Sequence, residues 1–99
     1  MIQTPVQLGR KVATGYVIPL GPANLVAVIT DTGMVGCGAF DVMALEKFGY
    51  PSARVRPRSS PSIVTIEDLL EGIVKDANSP AERRGIRVGQ TGREALDLL

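Results

Sequence analysis

Between Val12 and Phe40 the chain is rich in Val, Ile, Leu and Ala and is interrupted only at Gly21-Pro22 and Asp31-Thr32-Gly33. β-Branched runs between turn residues suit a pleated, half-buried surface. This stretch therefore predicts strands at Lys11 to Leu20, Asn24 to Thr30 and Met34 to Phe40. Connections this short join antiparallel neighbours, which makes a β-meander. Leu25-Val26-Ala27-Val28-Ile29 is apolar without alternation, the pattern of a central strand covered on both faces.

Beyond Phe40 the signals become helical. Asp41 is placed to cap a helix from Val42 to Phe48, which Gly49 ends and Tyr50-Pro51 keeps from continuing. Ala53 to Arg56 reads as a returning strand, so strand, helix and strand form a βαβ-like crossover with parallel pairing. Thr65-Ile66-Glu67-Asp68, Ser79-Pro80-Ala81-Glu82 and Thr91-Gly92-Arg93-Glu94 each set a hydroxyl residue three positions before a carboxylate. That is the spacing of a capping box, and it predicts three more short helices. Pro80 fits a first helical position, and Gly72 and Gly85 are expected to be left-handed stops. Ile73 to Lys75 reads as a further short strand and Pro57 to Ser62 as a loop. The expected fold class is α+β: a single compact domain over residues 1–99, with an N-terminal, mostly antiparallel β-meander, a βαβ-like crossover and short C-terminal helices.

Composition narrows the chemistry. Ninety-nine residues with 44% hydrophobic and 21% charged side chains suffice for one core, at a size where self-association often adds buried surface, so a homo-oligomer is expected. Eleven basic against ten acidic residues give no general affinity for nucleic acid or membrane, and neither is an expected partner. The single cysteine makes no internal disulfide and no thiolate zinc site, and Met1 to Gln7 lacks the pattern of a secretory signal. A soluble, cytoplasmic protein without a metal is expected. With no histidine, neither a Ser-His-Asp nor a Cys-His arrangement can form. Gly33, Gly36 and Gly38 run G-x-x-G-x-G rather than G-x-G-x-x-G, and no Lys-Ser or Lys-Thr pair follows, so no nucleotide cofactor is implied.

Three segments remain as candidates. Gly36, Cys37 and Gly38 lead into the helix start at Asp41, where exposed backbone N–H groups favour an anion or a thiolate. The plainer account is a small buried thiol with glycines that admit a close neighbour. Arg54, Arg56 and Arg58 alternate, so on an extended strand their guanidinium groups share one face. They suit either a phosphate or carboxylate ligand or a charged, solvated edge strand. Val28-Ile29-Thr30-Asp31-Thr32-Gly33 resembles the Asp-Thr-Gly segment of retroviral-type aspartic proteases, but Met34 stands where those proteins have Ala or Ser. Asp-Thr-Gly is also ordinary turn chemistry.

The segment Cys37-Gly38-Ala39-Phe40-Asp41-Val42, together with Thr65-Ile66-Glu67-Asp68-Leu69-Leu70 and the stretch Arg84 to Leu96, resembles the YunC-like family. These are small bacterial and archaeal proteins carrying a domain of unknown function. The resemblance implies a compact α+β domain and brings no activity, substrate or catalytic residue. The leading functional expectation is a homo-oligomeric binding or interaction module whose Gly36 to Asp41 segment lies at a packed interface or a small-ligand pocket. Candidate ligand-binding residues are Gly36, Cys37, Gly38, Arg54 and Arg56, with a small anionic ligand. One alternative is a small enzyme using Cys37 as nucleophile or redox thiol beside Asp41. Another is an anion-responsive regulatory subunit using Arg54, Arg56 and Arg58. A protease using Asp31 ranks behind these.

Overall fold

A computed structural model describes every residue from Met1 to Leu99. Strands β1 (Ile2–Gln7), β2 (Val12–Pro19), β3 (Asn24–Ile29) and β4 (Met34–Gly36) run as successive antiparallel neighbours. β4 then pairs in parallel with β5 (Ser52–Arg56), and β5 pairs antiparallel with β6 (Ile73–Ala77), so the six strands lie in chain order. The chain crosses between the parallel strands through helix α1 (Val42–Glu46). Helices α2 (Ile66–Glu71), α3 (Ser79–Arg83) and α4 (Gly92–Asp97) follow, which makes one α+β domain of a mixed sheet and short helices.

The register shows why the meander forms. Gly15, Val28, Val35 and Ala53 lie opposite one another across β2 to β5 and therefore share a face. On that face Val26, Val28, Val35 and Val55 join Leu69 and Leu70 of α2 and Ala95 and Leu96 of α4 in one core. Each fully buried Val or Leu contributes about 1.5–3 kcal/mol relative to exposure. Gly15 makes room here, because a Cβ would lie 2.5 Å from Ile66 Cδ1 and would push the end of that side chain aside. The other face carries Thr14, Tyr16, Ile18, Leu25, Ala27 and Ile29, and there Ile18 and Ile29 are 37% and 38% exposed. β3 is therefore an interior strand sealed by the helices on one face, while its second face is only partly covered.

Helix ends follow the capping chemistry at five of seven expected points. The Asp41 side chain accepts from Ala44 N (3.0 Å), and Gly49 ends the helical segment at φ +68°. Thr65 with Asp68 and Thr91 with Glu94 form complete capping boxes. The third box is absent: α3 is capped by Asn78, and Ser79 is its first helical residue, which puts Pro80 second. Asn78 prevails because the site is buried and an amide both accepts and donates there, which a serine hydroxyl does over a shorter reach. Gly85 is left-handed at φ +96°, but Gly72 is extended at φ −63°, ψ 167°. Gly72 is needed for closeness instead, since a Cβ there would lie 2.9 Å from Arg56 O as the chain passes β5 into β6.

Two further expectations change. β1 occupies Ile2–Gln7, where no strand was predicted, because Thr4, Pro5 and Gln7 obscure a Val6 that packs into the core. β4 stops at Gly36 rather than Phe40: Cys37 N makes a last bond to Val26 O (3.0 Å), and Phe40 N then closes a turn on Cys37 O (3.2 Å). No helix is long and apolar enough to cross a membrane.

Candidate functional site

The parallel strands β4 and β5 point the same way, β4 ending at Gly36 opposite Arg54 and β5 running on two residues to Arg56, and the carboxyl ends of parallel strands are where open α/β sheets bind ligands. Two hollows flank this point, and the Cys37 to Phe40 turn separates them. The first, about 340 Å³, has Cys37, Gly38 and Ala39 on one side and Arg56 and Lys75 on another. Pro57, Pro61 and Ile63 close it from the loop that leads to α2, and Ala23, Asn24, Ser62 and Val55 complete it. The second, about 280 Å³, is lined by Ala39 to Met43 with Arg54 and Asp76.

Charge divides the two hollows. Arg54 Nε meets Asp76 Oδ2 at 2.6 Å, and Arg54 Nη1 donates to Gly38 O at 3.1 Å. This is the chain's one ion pair within 4.0 Å, so Arg56 and Lys75 have no carboxylate partner. No Asp or Glu lines the Cys37 hollow. The N–H groups of Gly38 and Ala39, both exposed, bond to no acceptor in the chain. A hollow at the β1–β2 turn, lined by Gly9, Arg10, Lys11 and Asp97, differs in that Asp97 already accepts from Gly9 N at 3.0 Å.

The expected site residues are thus only partly brought together. Cys37, Gly38 and Arg56 share one hollow, whereas Arg54 and Asp41 belong to the other, and Arg58 is exposed in neither. The register of β5 against β6 shifts between Arg54 and Val55, and β5 lies inside the sheet rather than at its edge. With Arg54 held by Asp76 in one hollow, Arg56 in the other and Arg58 outside both, the three arginines do not converge on one ligand. Cys37 is 5% exposed and belongs to the core, so its thiol lies at the base of the hollow and not at its rim. Gly36 admits a close neighbour, since a Cβ there would meet the Phe40 ring at 2.3 Å; Gly38 has nothing within 4 Å. Asp31 is exposed at the hairpin tip, where Thr30 Oγ1 accepts from Thr32 N and Gly33 N at 3.1 Å each, a turn built by Thr30.

Lys75 and Asn78 carried no functional signal in the sequence. Lys75 sits on a predicted strand, and nothing local to it announces Cys37 or Arg56 as neighbours. Asn78, fully buried, accepts from Ser52 N and Ala81 N and donates to Val42 O, Tyr50 O and Ser52 Oγ, tying α1, β5 and α3 together behind the second hollow. No cluster of three or more Cys, Asp or Glu is placed to hold a metal ion. No Asp, Glu or His lines the Cys37 hollow, so the residue types that most often move protons in catalysis are missing from its walls.

These features define a single-domain α+β protein with a cation-lined hollow beyond its parallel strand pair. The family described as "Domain of unknown function (DUF1805)" matches residues 36–99, beginning on the Gly36-Cys37-Gly38 segment, and the chain belongs to that family. The uncharacterized protein YunC of Bacillus subtilis (strain 168) is 34% identical over 93 residues, 94% of this chain and 91% of that protein. The fold also matches the crystal structure of a protein of unknown function, TA1206 from Thermoplasma acidophilum, with a TM-score of 0.86 and 26% identity over 97% of this chain and 89% of that one. The YunC-like resemblance of the Cys37 to Asp41 segment therefore extends over nearly the whole chain.

Proposed function

We propose that the protein is a cytoplasmic, homo-oligomeric binding module that takes a small anionic ligand in the hollow between the Cys37 to Ala39 segment and Arg56. The observation that carries this reading is the convergence of Arg56 and Lys75, two cations without carboxylate partners, on a hollow that contains no acid. The unpaired Gly38 and Ala39 N–H groups add donors of the kind that bind oxyanions. The partly exposed sheet face around Ile18 and Ile29 supports self-association.

Thermal unfolding with inorganic phosphate tests the ligand class. A ligand at 100 times its Kd stabilises a protein by about 2.7 kcal/mol, which is a shift of several degrees or more for a domain this size. Phosphate also stabilises proteins generally by exclusion from their surfaces, so the informative quantity is the difference from a variant. The shift is expected to fall to that background in the Arg56→Gln/Lys75→Gln double variant. Equal shifts in both proteins would remove the proposed site.

A further inference from the structure

The Cys37 hollow has two chemically distinct zones, and together they specify more than charge. At the rim stand Arg56 and Lys75 together with the exposed residues Gly38 and Ala39, whose N–H groups have no acceptor in the chain. Behind them the walls are aliphatic, from Val55 and Ile63 of the core to Pro57, Pro61 and Ala23, with the Cys37 thiol at the base. We propose that the ligand is an amphipathic monoanion: a carboxylate head held at the rim by Arg56 and Lys75, on a short aliphatic body laid against Val55, Ile63 and the prolines. This rests on the anion-binding reading above and names the chemical class of its ligand.

Other small anions fit less well, for stated reasons. No aromatic side chain lines the hollow, so a nucleobase has nothing to stack on. No carboxylate lines it either, so the ammonium of an amino acid would face two cations without an acceptor. The donors here are mostly cationic and no carboxylate is present to accept from a sugar's hydroxyls, so a neutral sugar would leave both cations without a counter-charge. A bare phosphate satisfies the rim but leaves the aliphatic walls wet, and so forgoes the burial that gives small ligands most of their affinity. The volume of about 340 Å³ is at the lower end of the roughly 300–1,000 Å³ typical of small-molecule sites, which limits the body to a short chain.

The test is a titration of the intact protein, followed by amide NMR, with sodium octanoate below its micelle concentration, inorganic phosphate and octylamine. Octanoate is expected to shift the amides of Gly38, Ala39 and Val55 and to bind at least about tenfold more tightly than phosphate. Its affinity should fall by about tenfold or more in Arg56→Gln/Lys75→Gln and in Ala23→Asp, which places a carboxylate at the exposed rim. None of these three positions is in the core, so loss of folding does not confound the result. Octanoate and phosphate binding equally would overturn the amphipathic class while leaving the anion site standing. Octylamine binding as well as octanoate would overturn both the class and the anion requirement, and no shift with either anion would remove the site itself.

Discussion

Asn78 is the residue on which the crossover depends most. Its amide satisfies two backbone donors and two backbone carbonyls from segments up to 36 residues away, in a place without exposure. Removing the amide strands those groups where water has poor access, and each buried unsatisfied group costs about 1–3 kcal/mol. Asn78→Ala is therefore expected to lose about 3 kcal/mol or more of stability in urea unfolding, and Asn78→Asp to be destabilising as well because it keeps the acceptor and loses both donors. A loss below about 1 kcal/mol in Asn78→Ala would mean that other groups satisfy this site. Gly36 and Gly38 show the limit of local reading from the other side. They are alike in sequence, yet one is pressed under Phe40 and the other faces open space, because only the turn at Cys37 decides which of them meets the ring.

Among the elements, α1 and α2 carry carboxylates whose work is to satisfy backbone N–H groups. Asp68 accepts from Val64 N and Thr65 N at 3.1 Å each, and these bonds hold its pKa below the ordinary value. Glu46 accepts from Ser79 N at 2.7 Å, which joins the end of α1 to the start of α3 and lowers its pKa likewise. In both, the folded state binds protons less readily than the unfolded chain. The stabilisation is thus complete above the unfolded carboxylate pKa, about 4, and is lost as the pH falls through the lower folded values. Stability measured by urea unfolding is expected to decline from about pH 5 downward, and the decline should be shallower in Asp68→Asn/Glu46→Gln. An unchanged acid limb in that variant would place the acid sensitivity elsewhere. The Asp68 bonds were legible as a capping box, because cap and carboxylate are three residues apart. The Glu46 bond was not, since its donor lies 33 residues away.

For the molecule as a whole, the sheet leaves one face under helices and the other with Ile18 and Ile29 partly exposed beside Tyr16. Light scattering at micromolar concentration is expected to give a mass that is a multiple of the 10.5 kDa chain, and Ile18→Lys/Ile29→Lys should shift it toward the monomer. A wild-type monomer at that concentration would remove the homo-oligomer. What the amino-acid order settled unaided is much of what is decided within a few residues: the turns at Gly21-Pro22 and Asp31-Thr32-Gly33, the caps at Asp41, Thr65 and Thr91, the glycine stops after α1 and α3, and the alternation of strands with short helices. Turn and cap energies are local, so local chemistry predicts them. Folding in three dimensions settled the site. It paired Arg54 with Asp76, left Arg56 without a carboxylate, set Lys75 across from Cys37 and made Asn78 a hub, because such contacts depend on sheet order and on the register shift between β5 and β6, where Lys75 is the unpaired residue, and no short stretch of chain holds the key to these.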